Sequence, residues 1–367
     1  MNGQPRRPPL PLLAILLLAL TSPAAAEDTC GIEPRSRIVA VGDVHGAYDN
    51  FVSVLRMAGL VDEKARWIGG ETVLVQTGDL LDRGTEARRV LDLLMRLEKE
   101  AKKSRGRVVA LLGNHEVMNM LGDLRYVNPE EYERYKTPRS EEVREQFWQG
   151  ILKRRREQAR AAGETLDEDA LRSSFEEEAP LGFVERTLAF SARSDYGEWL
   201  RERNPVAKVG DVVFLHGGLT PEVAALGCRA INERVRREIT DDFDATRKEP
   251  LATLAAGENG PLWYRGLAQE DEATFEPALQ RILKAMEARA IVVGHTVTVT
   301  GRIQQRFGGR VVMIDAGMTE AYGGHLAALE IDPGDRMAAL YPAGREGLGS
   351  PAPASAPSAS EPAAARP

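Results

Sequence analysis

Aspartate, asparagine and histidine side chains can together hold cations that activate water. This chain sets them out in five short glycine-bounded motifs: Gly42 to Gly46 (GDVHG), Gly78 to Gly84 (GDLLDRG), Gly113 to Glu116 (GNHE), His216 to Gly218 (HGG) and Gly294 to Thr296 (GHT). Each follows a run of β-branched and apolar residues, so each sits where a strand ends. The donors on offer are Asp43, His45, Asp79, Asn114, His216 and His295. Asp43 and His45, one residue apart in an extended terminus, are expected to point to the same side. A mixed oxygen and nitrogen set suits manganese, iron or zinc better than calcium or magnesium, which favour oxygen alone. Six donors are too many for one zinc but suit two ions bridged by a carboxylate. Any one of these residues taken alone is as readily a turn residue or a satisfied core histidine; the set points to metal. The glycines beside the donors allow tight turns and close backbone approach.

Alternating apolar strands and amphipathic helices must position the motifs. Strands are expected over Ile38 to Val41, Thr72 to Gln76 and Arg107 to Leu112. Between them, helical periodicity covers Tyr48 to Leu60 and Glu86 to Lys103. Two successive βαβ units predict an α/β domain with buried, near-parallel strands. From residue 120 to 203 strands disappear and charge rises. The stretch Glu130 to Glu178 reads as helical, with Val143, Phe147, Trp148, Ile151 and Leu152 on one face. This segment is an insertion, either a packing appendage or a cap that screens substrates. Strands then resume over Val209 to Leu215, Ala290 to Val293, Arg310 to Ile314 and a final Leu326 to Ile331. The domain therefore spans 36–342, and the Ala/Pro/Ser-rich residues 343–367 are expected to be disordered.

The motif order resembles the metallo-dependent (calcineurin-like) phosphoesterases, in particular their phosphoprotein phosphatase branch. The wording Leu111 to Asn119 (LLGNHEVMN), Pro261 to Gly266 (PLWYRG) and Ile314 to Met318 (IDAGM) is most similar to the Shewanella-like protein phosphatases. The resemblance implies a four-layer αββα sandwich of two mixed sheets, with the site beyond the strand C-termini. It implies that Asp43, His45 and Asp79 hold one metal, and that Asp79 bridges to a second completed by Asn114, His216 and His295. Manganese is the expected ion in vitro, with iron or zinc as alternatives. The family's reaction is in-line attack by a metal-bridging hydroxide on phosphorus. By the same resemblance His115 is the general acid, Asp82 orients it, and Arg83, Arg265 and Asn114 bind the phosphate. Arg265 has a second reading, as a structural arginine stacked on Trp263 or Tyr264. Asp315 is read as shaping the sheet edge rather than binding metal, and His325 as structural. The insertion is longer than in typical eukaryotic Ser/Thr phosphatases, so regulatory-subunit binding does not carry over.

Arg6 and Arg7, the apolar stretch Leu10 to Leu20 and Ala24-Ala25-Ala26 read as a cleavable signal peptide over residues 1–26, predicting export to a periplasm or medium. The stretch is too short for a comfortable membrane span. Cleavage moves the formal charge from −7 to −9, which disfavours long nucleic acid as a partner. Lys153 to Arg156, flanked by acids, is a solvated helix face. In an oxidising compartment Cys30 and Cys228 suggest one disulfide, worth roughly 4–5 kcal/mol in the chain-entropy model, although two free thiols stay open. The expected activity is hydrolysis of phosphate monoesters on protein, peptide or a small molecule. A nucleotide or diadenosine-polyphosphate hydrolase is the enzyme alternative, for which no aromatic platform is evident. A metal- or phosphate-binding module without turnover is the non-enzyme alternative, although every matched position is present.

Overall fold

The computed structural model describes residues 27–349; the expected signal peptide and residues 350–367 lie outside them. The strands are β1 (Ile38–Val41), β2 (Val73–Gln76), β3 (Arg107–Ala110), β4 (Val206–Val209), β5 (Val212–Leu215), β6 (Ala290–Val293), β7 (Gln304–Arg306), β8 (Val311–Met313), β9 (Ala328–Ile331), β10 (Met337–Tyr341) and β11 (Gly344–Gly349). One sheet has the order β11-β10-β9-β1-β2-β3 and the other β4-β5-β6-β8-β7. The first sheet is parallel through β1-β2-β3, with β3 at its edge, and antiparallel from β1 to β9 and beyond; in the second a parallel centre (β5-β6-β8) is flanked by antiparallel β4 and β7.

Strand alternation builds the layers. Ile38, Ala40, Val73 and Val75 face inward and meet Val212, Phe214, Val292 and Val312 of the other sheet. Their neighbours Val39, Val41 and Leu74 face outward, onto α1 (Tyr48–Met57) and α2 (Ala87–Lys103) through Phe51, Leu55 and Leu94. Residues buried on both faces explain why these strands read as unbroken apolar runs. The GNHE motif opens α3 (Asn114–Leu121), an eight-residue helix.

The insertion holds a 3₁₀ turn (Pro129–Tyr135) and the helices α4 (Ser140–Ala162), α5 (Glu168–Glu178), α6 (Phe183–Ala189) and α7 (Asp195–Arg201). Trp148 and Leu152 of α4 pack with Phe175 and Ala179 in a small core of their own. The short helices α8 (Pro221–Ala224), α9 (Cys228–Ile239), α10 (Phe243–Lys248) and α11 (Gly266–Gln269) precede α12 (Glu272–Met286). Leu279, Ile282 and Leu283 of α12 cover the outer face of the second sheet at Val213, Ile291 and Val293. The four-layer αββα sandwich with two mixed sheets and a helical insertion is therefore observed. Cys30 and Cys228 form a disulfide across a separation of 198 residues, fixing the N-terminal segment to the first residue of α9. Among the described residues no helix is long and apolar enough to cross a membrane.

Two expectations need correction. The run Val209 to Leu215 is not one strand: Gly210 takes φ +59° and turns the chain between β4 and β5. Nor does the fold end at Pro342. The segment Asp332 to Arg336 turns β9 into β10, and β11 pairs onto β10 with Tyr341 opposite Gly344. Residues 344–349 are an edge strand held by backbone hydrogen bonds, with mostly exposed side chains, so hydropathy carried no sign of them.

Candidate active site

The parallel strands all deliver their motifs to one edge of the sandwich, as open α/β sheets do. Asp43 and His45 follow β1, Asp79 follows β2, Asn114 follows β3, His216 follows β5 and His295 follows β6; all six are buried. Asp79 stands at the centre. Its Oδ2 lies 3.5 Å from His45 Nε2 and its Oδ1 lies 3.3 Å from His216 Nε2. Asp43 closes one side, with Oδ2 4.0 Å from His45 Nε2 and Oδ1 3.8 Å from His216 Nδ1. The His216 and His295 rings are 4.7 Å apart.

The backbone is strained where these groups meet. His45, Asp79, Asp82, Arg83 and His295 all take φ between +47° and +68°, a region that costs a non-glycine residue roughly 1–3 kcal/mol. His45 is thus not in an extended terminus, yet it still converges with Asp43. Glycine is needed here for clearance: a Cβ on Gly113 would overlap Asp79 Oδ1, and one on Gly294 would overlap Asp43 Oδ1.

The donor set fits two cations. Nδ1 of His45 faces the Leu81 carbonyl at 2.8 Å and Nδ1 of His216 faces the Thr77 carbonyl at 3.0 Å, so each Nδ1 carries the proton and each Nε2 offers a lone pair. His216 Nε2 lies 2.9 Å from Asn114 Oδ1, so these two candidate ligands stand side by side. His295 Nε2 is buried without a partner. Burial holds His45 and His295 neutral, lowering His45 to about 4 and His295 to about 2. Burial, with Asp315 and Asp79 adding repulsion, pushes the Asp43 carboxyl well above its usual range, and burial raises Asp315 to about 6. Neutral imidazoles among crowded carboxylates are what a cation relieves. Two overlapping groups have ligand atoms mutually within 4.8 Å: His45, Asp79 and His115, and Asp79, His216 and His295.

His115 is held differently. Its Nδ1 donates to Asp82 Oδ2 at 2.6 Å, and its Nε2 lies 3.8 Å from Asp79 Oδ2. Burial lowers its pKa, but Asp79 and Asp82 outweigh that effect and the net shift is upward. An upward shift favours the protonated imidazole, the form that can act as an acid.

The calcineurin-like phosphoesterase profile matches residues 36–299. This chain belongs to that family. Shewanella-like protein phosphatase 2 of Arabidopsis thaliana is 32% identical over 86% of this chain and 81% of its own length. The uncharacterized protein C1840.07c of Schizosaccharomyces pombe is 35% identical over 81% and 78%. Among solved structures, the cold-active protein-tyrosine phosphatase of a psychrophilic Shewanella species superposes with a TM-score of 0.65 at 27% identity, covering 87% of this chain and 82% of that one.

In this phosphoesterase Arg83 stands with its Cζ 4.0 Å over the Tyr126 ring and 5.7 Å from that of Tyr322, its Nε buried without a partner. An aromatic wall is therefore present, where sequence reading found none. A cleft of about 520 Å³ opens beside Arg83, lined among others by Tyr48, Asn50 and Asn128. Arg265 has a role neither reading foresaw: its Nη1 donates to the His295 carbonyl at 2.8 Å and to Thr296 Oγ1 at 2.9 Å, tethering the last histidine loop. Asp315 accepts from the Gly317 N–H within the buried site, and His325 is exposed.

Sequence reading missed the supports of the phosphoesterase site. Glu116 accepts the N–H groups of Asp79, Leu80, Leu81 and Gly113, clamping the loop after β2 to the start of α3. Its place three residues after Gly113, the spacing of a capping box, was the available signal. Asn119, one helical turn after His115, donates to both oxygens of Asp82.

Proposed function

We propose that this chain is an exported phosphomonoesterase that removes phosphate from phosphorylated proteins with the help of two metal ions. Asp43, His45 and Asp79 would hold one ion, and Asp79, Asn114, His216 and His295 the other. Ions bound there neutralise the phosphoryl oxygens and lower the pKa of the attacking water. Manganese is the ion of choice for reconstitution, with iron or zinc as alternatives.

The chain's own residues do the rest. Arg83, steadied on Tyr126, offers its guanidinium to phosphate oxygens, and the Asn114 amide and the remaining face of Arg265 complete the cradle. His115 gives its Nε2 proton to the leaving oxygen while Asp82 steadies the ring through Nδ1. The observation that carries this reading is the division of labour among histidines: His45, His216 and His295 gather round Asp79, and a fourth, His115, is hydrogen-bonded through Nδ1 to an aspartate of its own, Asp82. A cysteine nucleophile is excluded, because the chain's two cysteines are joined to each other. That disulfide also supports an oxidising, extracytoplasmic location.

Hydrolysis of p-nitrophenyl phosphate and of phosphotyrosine and phosphoserine peptides, each against bis(p-nitrophenyl) phosphate and diadenosine tetraphosphate, tests the reading. Monoesters and phosphopeptides are expected to turn over fastest; preference for the diester or the dinucleotide overturns the substrate class. N-terminal sequencing of secreted protein is expected to start at Glu27, and a start at Met1 overturns cleavage of the leader.

A further inference from the structure

The insertion encloses a pair of charges, Arg186 and Glu131, that has no part in its packing core. Arg186, on α6, is wholly enclosed. Its Nη1 donates to Asn119 Oδ1 at 2.8 Å, and its Nη2 donates to Glu131 Oε2 at 3.3 Å and lies 3.6 Å from Asp82 Oδ1. Nε of Arg186 and Oε1 of Glu131 have no partner. An incompletely satisfied buried ion pair is a poor stabilising device, and an apolar pair of similar volume packs as well or better.

What Arg186 does fix is the orientation of an amide. A guanidinium only donates, so Asn119 must turn its oxygen to Arg186 and its NH₂ away. That NH₂ donates to Asp82 Oδ1 at 2.9 Å, to Asp82 Oδ2 at 3.0 Å and to the His115 carbonyl at 2.9 Å. Asp82 Oδ2 in turn receives His115 Nδ1. Without Arg186 the amide is free to flip and set its oxygen against the Asp82 carboxylate, and Glu131 and Asp82 lose the cation between them.

We propose that Arg186 is a positioning residue for leaving-group protonation, acting through Asn119 and Asp82 on the ring of His115 and so linking the helical insertion to the chemistry. The inference rests on the phosphomonoesterase reading above. In the step concerned a water oxygen forms a new bond to phosphorus, and the bond to the leaving oxygen breaks with its electron pair. That oxygen takes the Nε2 proton of His115, the attacking water releases one of its two protons to solvent and keeps the other on the product phosphate, and the imidazole regains a proton from solvent.

The test uses the manganese-loaded full chain and two substrates that differ only by a nitro group. p-Nitrophenolate leaves readily, whereas phenolate, of pKa about 10 when protonated, needs the proton. Arg186→Met is expected to lower kcat on phenyl phosphate by about 30-fold, short of the roughly 10²–10⁴-fold that a general acid contributes in full, and on p-nitrophenyl phosphate by less than about threefold. KM and bound manganese stay within about twofold, and Arg186→Lys lies between wild type and Met. In a His115→Asn background Arg186→Met changes the ratio of the two kcat values no further. If Arg186→Met does not fold, Glu131→Gln with Arg186→Met leaves no unpaired charge and carries the same comparison. An unchanged ratio in the folded variants, or losses that add in the His115→Asn background, overturns the inference and leaves the phosphatase reading standing. A wild-type protein inactive on both esters defeats that reading and the inference with it.

Discussion

The strand-end edge of the sandwich and the distal helices α4 and α5 are built to opposite tolerances. At the edge, buried carboxylates and imidazoles crowd within a few ångströms, half of the ten positive-φ non-glycine residues among the described residues cluster there, and Gly113 and Gly294 have no room for a methyl group. In α4 and α5 the core is a handful of apolar side chains, and exposed pairs such as Arg156–Glu168 and Arg172–Glu145 line the surface. Strain and buried charge are tolerated only where the surrounding structure over-determines them. The edge is over-determined from two sheets; α4 and α5 are held along one apolar stripe. Between them, Tyr126, Glu131 and Arg186 carry the insertion to the edge.

Substitutions should separate the two regions in proportion. Asp79→Asn removes the carboxylate at the centre of both donor groups; it is expected to abolish binding of both ions and lower kcat/KM by about three orders of magnitude or more, read by elemental analysis and steady-state kinetics. His115→Asn should lower kcat on phenyl phosphate by about 10²–10⁴-fold with bound metal unchanged. Asp82→Asn should lower kcat on the same ester by about 10–100-fold, as loss of an orienting partner does. It should also shift the pH profile: Asp82 helps raise the His115 pKa, so without it the acid loses its proton at lower pH and the alkaline limb of kcat moves down. Trp148→Ala should destabilise the insertion by about 3–5 kcal/mol, visible as an early melting step or raised protease sensitivity, while kcat on phenyl phosphate stays within about threefold. A kcat that falls as far as in Asp82→Asn would erase the contrast between the regions. Arg156→Ala should leave both Tm and kcat unchanged, because an exposed pair contributes little.

Legibility in the sequence follows the same divide. Asp43, His45, Asp79, Asn114, His216 and His295 were readable because each sits next to a glycine at the end of an apolar run, and local pattern reports strand ends well. The central strands were readable because burial on both faces leaves unbroken apolar segments. Arg186, Glu131 and Asn119 were not, since their meaning lies in contacts 55 to 67 residues apart in the chain, which no local period records. Glu131 and Arg186 also sit in a charge-rich stretch where a buried ion pair looks like any solvated one. β4 hid behind a two-residue turn, and β11 exposes nearly all its side chains. Arg265 shows a different limit: its residue type announced a cation near the site, but not that it would hold the His295 loop.

The central claim is that this edge holds two ions and uses them on phosphate monoesters. The most direct measurement strips the mature protein of metal and titrates manganese back, following bound ion and p-nitrophenyl phosphate turnover in the same samples. The account predicts an inert metal-free protein, binding that saturates near about two ions per chain, and turnover that rises with the second. Full turnover without metal, or no binding at the concentrations that support activity, would contradict it.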